Sequence, residues 1–109
     1  MSKHRLEVLE RLADTVGERA GAAPDSSYTA RLLSQGREKC AKKVGEEAVE
    51  TALAALTDDR DHLVSETADL VYHLLVLLQS SGVPLSAVMA ELEGRMERGR
   101  LSEKAARQF

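Results

Sequence analysis

A chain of 109 residues has room for one compact domain. With 43% hydrophobic and 30% charged residues it has the make-up of an ordinary globular protein, and with only 3% aromatics its core has to be built from Leu, Val and Ala. A net charge of −3 and a pI near 5.6 exclude nucleic-acid binding by bulk electrostatics, and the longest apolar run, Leu70–Leu78, falls short of the roughly 20 residues of a membrane span.

Taken in order, the segments read as helices. The opening MSKHRLEVLERLADTV lacks the apolar centre of a signal peptide, so the expected location is the cytoplasm. Leu6, Leu9, Ala13 and Val16 share one face and predict an amphipathic helix. GAAPDSS interrupts it through Gly21 and Pro24. Ser26 or Ser27 caps a short helix carrying Tyr28, Leu32 and Leu33, which ends near Gly36. A long helix follows from about Arg37 to Leu56, with Cys40 as an unpaired, inert thiol. TDDR is a tight link, and Thr57 or Asp58 caps the next helix, from about Asp61 to Ser80. Pro84 suits a first helical turn, and Leu85, Val88, Met89 and Leu92 form a last apolar stripe. No segment alternates with period two, and no repeat is present. The expected domain covers residues 1–98, followed by a polar tail, 99–109. The fold class is all-α, a bundle of four to five helices completed by dimerisation.

The chemistry lies in KVGEEAVETALAAL, Lys43 to Leu56. At about 100° per residue, Val44, Ala48, Val49, Ala52, Leu53, Ala55 and Leu56 cover half the helix. Glu46, Glu47 and Glu50 share the opposite arc with Lys43. Taken alone, this arc is a solvated face supported by the i,i+4 pairs Lys42–Glu46 and Lys43–Glu47. The next helix shifts the balance. Between Leu70 and Leu78 it is apolar all round, as a helix buried on every side would be. Glu66 and Asp69 lie just before this run and on one face, so they point into the interior or its mouth. Buried carboxylates have to be paired, protonated or metal-bound. The short link makes the two helices an antiparallel hairpin, each presenting two acids one turn apart. An all-oxygen set of this kind suits Mg²⁺ or Mn²⁺, ions that keep waters and take substrate phosphates as further ligands.

EExxE followed by ExxD on consecutive helices resembles the all-α nucleoside triphosphate pyrophosphatase (MazG-like) superfamily. Within it, SYTARLLSQG, KVGEEAVE and ETADLVYHLLVLL together resemble the phosphoribosyl-ATP pyrophosphohydrolase family, over about Ser27 to Arg98. The resemblance implies a homodimer that hydrolyses phosphoribosyl-ATP to phosphoribosyl-AMP and pyrophosphate, the second step of histidine biosynthesis. It assigns Glu47, Glu50, Glu66 and Asp69 to the metal, with Mg²⁺ as cofactor and Mn²⁺ as an alternative. Glu46 matches the first acid of the motif, as outer ligand or water-orienting base, so Glu46 and Glu50 are the catalytic candidates. Lys43 matches a basic position that meets phosphate, and Arg37, Lys39 and Lys42 join it as substrate-binding candidates. Where relatives often carry two adjacent glutamates, this chain has Ser65 and Glu66. Many relatives are fused to the next enzyme, a cyclohydrolase, which is expected here on a separate protein.

His73, one turn after Asp69, reads either as a second-layer partner of that carboxylate or as a structural histidine. His62 reads as surface, Tyr72 as core or dimer interface with its hydroxyl at a polar edge, and Tyr28 as pocket lining or packing. Two other functions fit the same motifs less closely: a house-cleaning pyrophosphatase for another nucleoside triphosphate, and a non-catalytic helical dimerisation module.

Overall fold

The computed structural model describes residues 5–99, so all but the first residue of the expected tail lies outside the described residues. Five α-helices follow one another: α1, Glu7–Glu18; α2, Tyr28–Ser34; α3, Arg37–Ala54; α4, Arg60–Ser80; and α5, Leu85–Glu97. Two short 3-10 turns, Arg19–Gly21 and Pro24–Ser26, join α1 to α2. Among the described residues there is no strand, and no single helix is long and apolar enough to cross a membrane.

Local chemistry sets the boundaries. The Ser27 hydroxyl accepts the Ala30 N–H at 3.0 Å and starts α2. Gly36, at φ +96°, turns the chain between α2 and α3 through a region closed to most L-residues. The cap of α4 is Asp59, not Thr57 or Asp58: its carboxylate accepts the His62 N–H at 3.1 Å. Thr57 instead donates back to the Ala54 carbonyl and closes the end of α3. At the far end of α4 the Val83 N–H reaches the Leu78 carbonyl and the Gly82 N–H reaches Gln79, with Gly82 at φ +71°. This double closure ends the helix and frees Pro84 to start α5. The axis of α5 is bent 110° from that of α4.

The hairpin of α3 and α4 is the most extensive helix contact, with α1 and α2 laid against α4. Val16, Leu32, Cys40, Leu75 and Val76 form the core, one or two from each of α1 to α4. The Cys40 thiol donates to the Leu32 carbonyl from a buried position, as expected of an inert thiol.

Two expectations about burial need correction. The helix from Leu70 to Leu78 is not covered on every side within one chain, since Leu74 is 41% exposed. The apolar arc of α3 faces outward, with Val49 59%, Leu53 60% and, just past the helix, Leu56 83% exposed. The side of α3 that carries its buried residues, Cys40 and Ala54, also holds Glu47 and Thr51, both only partly exposed.

Candidate active site

That turned helix explains the geometry of the acids. Glu47 leans toward α4, where Glu66 and Asp69 stand one turn apart. One carboxylate oxygen from each of the three lies within 4.8 Å of the others. The Glu66 side chain is largely covered, and its Oε1 is buried with no hydrogen-bond partner. The only other buried side-chain polar atom of this kind among the described residues is Arg19 Nε. An unpartnered carboxylate oxygen costs desolvation energy that nothing in the chain repays. Three converging carboxylate oxygens, one of them unpartnered, fit a hard divalent cation that takes oxygen ligands.

Lys43 and His62 flank the cluster without filling it. Lys43 Nζ lies 3.4 Å from Glu46 Oε1 and 3.8 Å from Glu47 Oε2, so this one lysine serves both acids. The expected Lys42–Glu46 pair does not form among the described ion pairs. Partial burial works to lower the Lys43 pKa, but the hydrogen bond to Glu46 and the nearby Tyr28, Glu46 and Glu47 outweigh it. The ammonium group is held above its usual range. On the other side, His62 Nε2 approaches Glu66 Oε2 at 3.4 Å. His62 is exposed, as expected of a surface residue, and stands one turn before Glu66 on the same helix.

Glu50 is not brought into the cluster. It is exposed and lines a neighbouring groove of about 750 Å³ with Lys42, Glu46, Val49, Leu53 and His62. Glu46 bridges the two regions, half-exposed and tied to Lys43. Arg37 and Lys39 stand exposed in the first turn of α3.

Behind the acids sits a polar layer. His73 is buried, and its Nδ1 lies 2.8 Å from the Asp69 main-chain carbonyl, not from the carboxylate. A carbonyl only accepts, so Nδ1 carries the proton. In the neutral ring Nε2 then accepts from the Tyr28 hydroxyl, 3.2 Å away. Tyr28 stacks on Tyr72 with ring centroids 6.2 Å apart, and Arg31 lies over its ring. The Tyr72 hydroxyl bonds Thr29, and burial raises the Tyr72 pKa above its usual 10.0. These contacts tie α2 to α4 directly behind Asp69.

Residues 9–96 match the family described as phosphoribosyl-ATP pyrophosphohydrolase. The chain belongs to this family. Proteins named phosphoribosyl-ATP pyrophosphatase are similar to it over nearly their whole length. That of Cereibacter sphaeroides is 57% identical over 102 residues, which span 94% of this chain and 99% of the relative. Those of Agrobacterium fabrum and Methylobacterium nodulans are each 54% identical over 107 residues, covering 98% of this chain and 97% of theirs. The family resemblance carried by the three sequence segments is thus borne out across the domain.

Proposed function

We propose that this chain hydrolyses phosphoribosyl-ATP to phosphoribosyl-AMP and pyrophosphate, cutting between the α- and β-phosphates, as the second step of histidine biosynthesis. The observation that carries the reading is the convergence of Glu47, Glu66 and Asp69, with a partnerless Glu66 oxygen, in a member of this family. These three residues would hold Mg²⁺, or Mn²⁺ in its place. When bound, the ion supplies charge neutralisation on the phosphate oxygens and a more acidic water.

The chain's own groups do the rest. Glu46 lies beside the cluster, is half-exposed, and is hydrogen-bonded to Lys43, so it is placed to orient an attacking water or accept its proton. Glu50, one turn on, lines the adjoining groove, where it serves as an outer ligand or a second base. Lys43 keeps its charge at neutral pH and sits at the rim of the triad, where a leaving pyrophosphate would need a cation. Lys42, Lys39 and Arg37 add exposed positive charge at the start of α3, the charge that the substrate's second phosphate, the one on the ribose, would need.

The same reading includes a homodimer in the cytoplasm. Val49, Leu53 and, just past the helix, Leu56 leave apolar side chains of α3 exposed, Val49 and Leu53 beside Glu46 and Glu50. A second copy is the occupant that would cover them and close the groove containing Glu50.

Phosphorus NMR of the products tests the activity. Phosphoribosyl-ATP and Mg²⁺ should yield pyrophosphate as the first product, with a preference over ATP of roughly a hundredfold from one charge-assisted phosphate contact. Orthophosphate as first product, or equal efficiency on ATP, would overturn the assignment.

A further inference from the structure

Thr51 stands one turn after Glu47 on α3, and its hydroxyl approaches two carbonyl oxygens at once. One belongs to Glu47, at 2.8 Å. The other belongs to Glu66, across the helix interface, at 3.0 Å. A hydroxyl has one proton, so Thr51 acts as a three-centre donor shared between the two. The bond to Glu47 is the usual back-bond of a helical threonine, as Thr15 makes to Arg11 and Thr67 to Leu63. The bond to Glu66 is not local. Among the described residues it is the only hydrogen bond that joins α3 to α4. It ends on the main chain of the residue whose carboxylate oxygen is left without a partner.

The rest of the α3–α4 contact carries no hydrogen bond among the described residues, and contact without a directional bond tolerates small slides. A helix rises 1.5 Å per residue, and a hard cation such as Mg²⁺ demands oxygen distances near 2.0–2.1 Å. A slip of one helix past the other by half a residue would therefore spoil a site shared between Glu47 on α3 and Glu66 and Asp69 on α4. A single directional bond, anchored at the peptide units of Glu47 and Glu66, removes that freedom where it matters. On the far side, His73 holds the Asp69 carbonyl in the same way. All three acids thus have their own main-chain carbonyl gripped by a side chain.

We propose that Thr51 is a positioning residue: its hydroxyl fixes the register of α3 against α4 and so holds Glu47 and Glu66 at the separation a divalent cation requires. This rests on reading the three acids as the cation site, and the test separates the two claims.

The measurement is the dissociation constant of Mn²⁺, read from free Mn²⁺ by electron paramagnetic resonance, beside the melting temperature in chelator. Thr51→Val removes the hydroxyl at constant shape, Thr51→Ser retains it, and Thr15→Val removes only a back-bond on α1. Thr51→Val should bind Mn²⁺ about tenfold or more weakly, the scale of losing a group that orients a metal ligand. Thr51→Ser should recover most of the affinity, and Thr15→Val should match wild type. If Thr51→Val does not fold, Thr51→Ala against Thr51→Ser carries the same comparison. Wild-type affinity in Thr51→Val, or an equal loss in Thr51→Ser, overturns the positioning role while leaving the cation site standing. Absence of Mn²⁺ binding in wild type, or binding unchanged by Glu66→Gln, overturns the cation site and the proposal with it.

Discussion

Replacing Glu66 by Gln should make the metal-free protein more stable and the metal-loaded protein less so. In the free chain, Glu66 meets Glu47 and Asp69 with oxygens within 4.8 Å. At that distance two unit charges repel by about 0.9 kcal/mol at the dielectric constant of water, and by about 3.5 kcal/mol at an effective value near 20. The low end applies because Asp69 is exposed, and Lys43 offsets part of the repulsion. Two neighbours at the low end, less that offset, leave a relief of about 1 kcal/mol. The new amide can also donate to Glu47 or Asp69, which supports the same sign. For a domain of this size, 1 kcal/mol moves the melting temperature by about 4–8 °C. A bound cation reverses the order: at a concentration of 100 times its dissociation constant it stabilises wild type by about 2.7 kcal/mol. The variant forfeits most of that gain. Circular dichroism melts in chelator and in excess Mn²⁺ measure both effects, with turnover of phosphoribosyl-ATP lost in parallel. If Glu66→Gln melts below wild type in chelator, or keeps the full Mn²⁺-induced rise, the carboxylates are not a strained cation site.

Tyr72→Phe should cost about 1 kcal/mol at neutral pH through the lost bond to Thr29. Because burial raises the folded-state pKa of Tyr72 above 10.0, wild-type stability from this group is present below pH 10.0 and is lost as pH rises through the folded value. The gap between the two proteins in urea melts should therefore narrow in that alkaline window; a constant gap would contradict the burial argument. Leu53→Glu places a charge on the 60% exposed face of α3. On the proposed dimer, it should convert wild-type dimers to monomers by light scattering with helicity retained; a variant that stays dimeric would place the interface elsewhere, and a monomeric wild type would overturn the dimer. Val76→Ala empties part of a fully buried site, and a loss of about 2 kcal/mol, seen as a lower midpoint in denaturant, should follow. Asp59→Ala should cost about 1 kcal/mol by uncapping α4, while Asp58→Ala should cost far less.

Periodicity and breakers were enough to place five helices within a few residues, because Gly36, SSG and Pro84 act locally, through φ and missing donors. The three segments from Ser27 to Leu78 were likewise enough to identify the family, since each side chain type is written in the chain itself. The orientation of α3 was not legible. Its apolar arc, Val49 to Leu56, looks like the buried face, yet the stripe that holds its buried residues, Cys40 and Ala54, also holds Glu47 and Thr51. A helix-wheel argument ranks faces by hydrophobicity, so it fails where the inward face is spent on a polar site and the apolar one is left for a second surface. For the same reason Glu47 and Glu50, equal in the motif, part company in space, one facing α4 and the other an open groove. The convergence of Glu47 on Glu66 and Asp69 and the shared bond of Thr51 depend on how α4 lies against α3. Only tertiary packing decides that, because each is a contact across elements set to within a fraction of a helical rise, a distance to which residue spacing along one helix is blind.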